Sequence, residues 1–437
     1  MSTTTAITID ELREVWGLLT PEERLESFGF LPREEAEELF LELRSADQLN
    51  VLLGIPSATR RSWMRMLAPD DAADLIQEAE PEIRNELLGL LDQATRREVT
   101  ALLAYEEDEA GGLMNPHYAR LRPEMTVDEA IGYLRKQAQS VETLHYAYVL
   151  DADQRLLGVI SLRELFTAPG SKKVADVMET DLVTLSEDTD QENVGQLLTR
   201  YGLSAVPVLD AQGRMKGIVT FDDIADVIEE EATEDMQKMG GSEALDAPYL
   251  QVGLGEMLRK RAGWLSVLFL GELLTASAMG YYEHEIERAV VLAVFIPLII
   301  SSGGNSGSQA TTLIIRALAL SEVRQRDWWR VVRREFVAGL GLGAILGVLG
   351  FLRVVVWQEA FGSYGEHALL IGVTVGFSLL GVVLWGTLTG SSLPFLLRRL
   401  GLDPASASAP FVATLVDVTG LIIYFSVASL LLSGRLL

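Results

Sequence analysis

The sequence predicts a multidomain protein: an all-α N-terminal domain, an α/β tandem repeat, a linking helix and a five-helix transmembrane domain. Three observations carry this. Charge divides the chain, because residues 1–250 hold 50 Asp/Glu and 22 Lys/Arg, net −28, whereas residues 251–437 hold 12 and 14, net +2. Long apolar runs occur only from Trp264 onward. A block of motifs between residues 124 and 230 repeats at a fixed offset of 59 residues. The expected divisions are 1–123 for a helical regulatory domain, 124–245 for the repeat pair, 246–263 for the linking helix and 264–437 for the membrane domain.

Over residues 10–105, apolar residues recur at three and four, as in Leu39 and Leu43, and in Leu75, Ile76 and Ala79; this is the helical period. Pro21, Pro32, Pro56, Pro69 and Pro81 suit the first turns of short helices, and Asp70, Asp71 and Glu82 suit the positive end of each helix dipole. Nothing in this stretch points to catalysis. The chain has no Cys, which excludes disulfides and thiolate metal sites, and His117, His145, His284 and His367 lie too far apart in sequence for local soft-metal spacing. The first thirty residues lack the apolar run of a secretory signal, so the N-terminus is expected in the cytosol. A strongly acidic surface repels nucleic acid and attracts cations.

In the repeat, Tyr148-Val149-Leu150-Asp151 aligns with Pro207-Val208-Leu209-Asp210, Arg155 with Arg214, and Gly158-Val159-Ile160-Ser161 with Gly217-Ile218-Val219-Thr220. Each unit reads helix, strand, acidic turn, strand, helix. The glycine, two apolar residues, Ser/Thr and an acid three further on (Gly158 to Ser161 with Glu164; Gly217 to Thr220 with Asp223) resemble a tandem CBS pair. That resemblance implies an adenine nucleotide, ATP or another, between the repeats, with Thr220 and Asp223 on its ribose; Asp223 can equally serve as a cap on the following helix.

Five apolar runs approach the ~20 residues that cross a bilayer: Trp264–Tyr282, Ala289–Leu320 with a polar interruption, Phe336–Val356, Ala368–Leu397 and Ala405–Leu432. Arg259, Lys260 and Arg261, six arginines from Arg316 to Arg334, and Arg398 and Arg399 all fall on one side; Arg288, Arg353 and Arg435 fall on the other. The positive-inside rule then puts the N-terminus in the cytosol and the C-terminus outside, as expected for the inner membrane of a cell. The run from Pro297 to Gln309 (Pro-Leu-Ile-Ile-Ser-Ser-Gly-Gly-Asn-Ser-Gly-Ser-Gln) is Gly-rich and polar. At membrane depth it must be buried in protein or line a cavity, and its small residues also suit close helix packing. Asp417 lies in the fifth run with no Lys or Arg in that span. A mid-bilayer acid costs about 3 kcal/mol or more on insertion scales and is a functional candidate by default. Glu272, in the first run, is a second intramembrane acid, suited either to the pathway or to packing.

The whole chain from about residue 10 resembles the MgtE family of magnesium channels and transporters. The domain order, the Pro…Gly-Gly-Asn-x-Gly-x-Gln run, the Pro410-Phe411-Val412-x-Thr414-x-x-Asp417-x-x-Gly420 run and the Tyr105-Glu106-Glu107-Asp108-Glu109-Ala110-Gly111-Gly112 joint all carry the resemblance. It implies a homodimer embedded in lipid with a pore on its two-fold axis, where paired Asp417 carboxylates hold hydrated Mg2+, with further oxygens from Asn305 and the backbone near Gly304. Mg2+ sheds water reluctantly, which suits such outer-sphere binding. The family also implies sensing of cytosolic Mg2+ by carboxylates where the CBS pair meets the linking helix. Asp222 and Asp246 fall on such positions, and Glu243 on one where Asp is more usual. No phosphate-binding Gly-x-x-x-x-Gly-Lys-Ser/Thr loop and no nucleophile–base pairing occurs, so an ATP-driven pump and an enzyme are not expected. Two alternatives remain at this level: a divalent-cation carrier coupled to a second ion, and a membrane-anchored ligand sensor without transport.

Overall fold

The computed structural model describes residues 8–106, 108–245, 249–250 and 252–433. They form two compact units, 1–231 and 232–437, with the division inside one helix.

The first unit begins with eight short helices: α1 (Ile9–Val15), α2 (Pro21–Phe30), α3 (Arg33–Glu42), α4 (Ser45–Gly54), α5 (Ser57–Met64), α6 (Pro69–Gln77), α7 (Pro81–Leu88) and α8 (Gln93–Leu102). Their starts follow the sequence signals. Thr8 and Thr20 form capping boxes with Glu11 and Glu23, Pro21, Pro69 and Pro81 occupy first turns, and Pro32 and Pro56 sit one residue earlier, as the cap. Eight helices this short would be marginal alone; one shared core, with Phe40, Leu52, Met64, Leu75 and Ile76 fully buried, stabilises them together.

The repeat follows as two copies. The first comprises β1 (Arg120–Leu121), α9 (Val127–Gln137), β2 (Tyr146–Leu150), β3 (Leu156–Ser161) and α10 (Leu162–Thr167). The second comprises β4 (Leu185–Ser186), α11 (Gln191–Tyr201), β5 (Ala205–Leu209), β6 (Met215–Thr220) and α12 (Phe221–Met239). Each copy builds a three-stranded sheet, its first strand parallel to the second and the second antiparallel to the third. The two hairpin turns meet reciprocally: Leu156 N–H donates to the Gly213 carbonyl at 3.3 Å and Met215 N–H to the Gln154 carbonyl at 2.9 Å. Each of these pairs maps onto the other by the 59-residue offset, so the repeats are related by a local two-fold. Gln154 and Gly213 hold equivalent left-handed turn positions, φ +64° and +75°. The joint after α8 enters the second copy: Ala110 and Gly111 N–H donate to the Thr189 and Glu187 carbonyls, and Asn115 exchanges backbone hydrogen bonds with Ile218.

The second unit holds five helices long and apolar enough to cross a membrane. They are α13 (Leu254–Tyr281), the pair α14 (Glu283–Arg288) and α15 (Val290–Ala293) leading to α16 (Ile296–Ala319), then α17 (Trp328–Phe361), α18 (Ala368–Arg399) and α19 (Ala409–Leu432). Two expectations change here. A separate linking helix over 246–263 is not seen: residues 246–248 and 251 lie outside the described residues, and from Leu254 the chain is already α13, which runs unbroken through Trp264 into the first span. No proline lies between 254 and 281 to end it. The interruption of the second span also moves. The break falls at Val294–Phe295, just before Pro297 in the first turn of α16, and the Gly-rich polar run is itself helical.

Glycines set how closely these helices approach. A Cβ on Gly386 would collide with the Gly303 carbonyl, and one on Gly390 with the Gly307 carbonyl, so α16 and α18 touch backbone to backbone. Gly343 and Gly347 of α17 also lie against the backbone of Leu380 and Gly376 of α18, where a Cβ would come within 2.9 and 2.7 Å. α13 and α19 run parallel: Trp264 Nε1 donates to Ser408 Oγ at 3.2 Å, Gly271 abuts Thr414, and Tyr282 stacks on Phe425 with centroids 4.6 Å apart.

Candidate cation sites in the membrane unit and the soluble unit

The polar run of α16 divides by face. Gly303 and Gly307 pack on α18, buried Thr311 Oγ1 donates to the Gly390 carbonyl at 2.9 Å, and Ser308 Oγ donates to the Ala409 carbonyl at 3.0 Å. These residues serve packing. Ser301, Asn305 and Gln309, each four residues apart, remain exposed along one stripe; Asn305 Nδ2 donates to Ser301 Oγ at 3.4 Å. Gly304 turns toward α19. A Cβ there would lie 3.4 Å from that of Ala413 and 3.8 Å from Asp417 Oδ1. Because residue 304 is inside a continuous helix, its carbonyl belongs to the i to i+4 ladder, so its small size is what the site uses. Asp417 is half-buried, and its carboxyl is within hydrogen-bonding reach of Glu272 on α13.

In the soluble unit, Thr220 Oγ1 donates to Asp223 Oδ2 at 2.5 Å; the equivalent Ser161 and Glu164 form a capping box at the start of α10. Asp223 leads into a carboxylate cluster drawn from three elements. Asp70 and Asp71 come from the start of α6, Glu142 from the loop before β2, and Asp222 and Asp223 from the start of α12. Asn115, fully buried, bridges them with Nδ2 donating to Asp70 Oδ1 at 3.1 Å and to Glu142 Oε2 at 2.8 Å. Burial, then mutual repulsion, raises the acids: Asp70 goes well above the usual carboxylate range, Asp71 and Glu142 are raised, and Asp223 is pushed up to about 7 despite the Thr220 hydrogen bond, which lowers it. Asp70, Asp71, Asn115 and Glu142 were not singled out as site residues from sequence. Asp70 and Asp71 had a sufficient local reading as helix-start acids.

Of the other sensing candidates, Glu243 lies in the second unit, where its N–H reaches the Lys260 carbonyl at 3.5 Å and its Oε1 would be 3.6 Å from a Cβ on Gly263. Asp246 lies outside the described residues. Among the described residues, no three His, Asp or Glu side chains converge closely enough to hold a metal ion on their own. In one chain, Asp417 and Gly304 come together, while Asn305 and Glu272 flank them.

Comparison with known proteins places this arrangement in a family. Residues 7–108 match the MgtE intracellular N domain, residues 110–171 and 174–230 match the CBS domain, and residues 296–427 match the MgtE divalent cation transporter domain. The chain is 43% identical over 430 residues to the magnesium transporter MgtE of Thermus thermophilus, covering 97% of this chain and 93% of that protein. It is 31% identical over 426 residues to the magnesium transporter MgtE of Bacillus subtilis, covering 96% and 92%. Among solved structures, the cytosolic domain of the Mg2+ channel MgtE in complex with ATP is 41% identical with a TM-score of 0.47, over 51% of this chain and 90% of that one. The chain and these two magnesium transporters match over nearly the full length of each, and the protein belongs to the MgtE family of magnesium transporters.

Proposed function

We propose that this chain carries Mg2+ across the membrane through a pathway centred on Asp417, formed between two copies and regulated by cation binding to the soluble unit. One observation carries the pathway: a stripe of exposed Ser301, Asn305 and Gln309, beside half-buried Asp417, lies on membrane-spanning helices. Such a surface is untenable against lipid and calls for water or a matching protein face. A two-fold copy would supply a second Asp417, and two carboxylates can hold a hydrated Mg2+ that a single chain cannot chelate. Asn305 adds an amide oxygen, and Gly304 gives Asp417 clearance.

The soluble unit fits a sensor. Asp70, Asp71, Glu142 and Asp223 lie together with their charged forms disfavoured by burial and repulsion, and Asp222 is one of the like charges that repel them. Divalent cations would relieve that repulsion and hold the helical domain (1–123) against the repeat pair (124–245); loss of the ions would let them part. Glu243 and Asp246 would extend sensing into the 246–263 connection. An adenine nucleotide on Thr220 and Asp223 would use the Asp223 oxygen that Thr220 does not engage, but the surrounding acids would repel a polyphosphate unless a cation accompanied it. The arginine distribution supports a cytosolic N-terminus, an outer C-terminus and residence in the cell's inner membrane. Regulation and transport need no covalent chemistry, so we assign no enzymatic step. The reading is tested by Mg2+ flux into proteoliposomes: flux is expected from the unaltered chain, to fall with Asp417→Ala, and to close as Mg2+ rises on the face bearing the soluble unit. A chain that passes no Mg2+ at any concentration on that face would end it.

A further inference from the structure

Building on the Asp417 pathway, we infer that Glu272 is a second acidic determinant of the same site, which raises its preference for divalent over monovalent cations. The parallel packing of α13 on α19 brings the two carboxyls together. Gly271, the residue before Glu272, abuts Thr414, three residues before Asp417, and the Glu272 and Asp417 side chains reach hydrogen-bonding range. No Lys or Arg lies between Arg261 and Arg288 or between Arg399 and Arg435, and α16 has none before Arg316. No basic side chain of these helices at that depth therefore offsets the pair. Two like charges in a medium of low dielectric repel strongly unless a shared proton or a cation lies between them, and a cation crossing this pathway would displace that proton and take its place.

A second observation lies on the same side of α13. One turn beyond Glu272, the Thr275 hydroxyl is buried and has no hydrogen-bond partner among the described residues. A buried hydroxyl without a partner is costly, so α13 beside Glu272 is left incompletely satisfied in the single chain. Glu272 itself is exposed on the single chain, as a group that meets a hydrated ion must be. With Glu272 present, each copy offers the ion two carboxyls, and attraction to a doubly charged ion grows twice as fast with added negative charge as attraction to Na+.

The test measures Mg2+ and Na+ flux through the full chain in proteoliposomes for the unaltered protein, Glu272→Gln, Glu272→Asp and Asp417→Ala. Glu272→Gln keeps size and shape. Loss of one charge-assisted contact predicts about a tenfold rise in the half-saturating Mg2+ concentration and a comparable fall in the Mg2+/Na+ flux ratio. Glu272→Asp should restore most of both. A merely structural Glu272 would lower the number of active proteins while leaving the half-saturating concentration and ion ratio unchanged, and that result would overturn the inference. If Glu272→Gln matches the unaltered chain while Asp417→Ala abolishes flux, Glu272 is outside the site and the pathway reading stands. If the unaltered chain carries no Mg2+, both readings fall.

Discussion

The two units each gather carboxyl groups, under opposite conditions. In the soluble unit, five acids meet beside a buried amide: Asn115 donates to two of them, Thr220 donates to a third, and the acids at the starts of α6 and α12 also face positive helix ends. In the membrane unit, Asp417 and Glu272 have one another and no basic residue on their helices at that depth. The first cluster is held in place by the fold and made responsive by crowding. The second has no such support from its own helices, and under the proposed function a passing cation offsets its charge. Sensing tolerates partial satisfaction, whereas a pathway depends on incomplete satisfaction, since an acid fully paired by the protein would have no use for the ion.

The comparison breaks most severely if the membrane helices cannot approach. Gly386→Val places a side chain against the Gly303 carbonyl, an overpacking change expected to destabilise the membrane unit by about 3 kcal/mol or more. Size-exclusion chromatography in detergent should then show loss of monodisperse protein, while the soluble unit keeps its own unfolding transition.

The soluble cluster is sharpened by pH. Asp223 titrates near 7 in the folded chain against an ordinary value of 3.8, and Asp70, Asp71 and Glu142 shift the same way. Between about pH 4 and 7 the folded state therefore binds more protons than the unfolded state, and stability falls as pH rises through that window. Below it the acids are protonated in both states and the contribution is fully favourable. In divalent-free buffer, the thermal midpoint of the soluble unit in the full chain should drop from pH 5 to pH 8, and added Mg2+ should reverse the drop. Asp70→Asn keeps an acceptor for Asn115, so it should flatten this slope and raise the midpoint at pH 8 by an amount worth about 1 kcal/mol.

The smallest effect concerns Lys238, near the end of α12, which pairs with Asp403 at 2.8 Å and also with Glu234. Both partners are partly exposed, so Lys238→Ala should cost at most about 1 kcal/mol of membrane-unit stability, less at high salt. A larger loss would mean that this contact, with Met239 packed near Ala405 and Ala407, does more than tether the helix.

The sequence made local and periodic features legible. The five spans follow from apolar length, even across the polar run of the second, and the repeat from a spacing that reappears in the reciprocal hairpin contacts of Leu156 and Met215. The offset of 59 holds for the hairpins and fails for the preceding helices, α9 at 127 and α11 at 191, because eight residues join α9 to β2 and only three join α11 to β5. Non-local features were harder to read. Asp70 and Asp222 lie 152 positions apart, and nothing in the pattern ties a helix-start acid to a distant partner. Glu272 meets Asp417 only because the first and last spans pack in parallel. The Gly-rich run looked like a break because glycine and serine are weak helix formers, yet packing against Gly386 and Gly390 overrides that propensity.

The central claim is that Asp417 lies on an ion pathway governed by the soluble unit. Mg2+ uptake into proteoliposomes tests it most directly, comparing the unaltered chain with Asp417→Ala at low and high Mg2+ on the side of the soluble unit. Flux that is open at low Mg2+, closed at high Mg2+ and reduced about a hundredfold by the substitution, the equivalent of roughly 3 kcal/mol, is the expected result. Flux that Asp417→Ala leaves intact, or no Mg2+ flux from the unaltered chain under either condition, would contradict it.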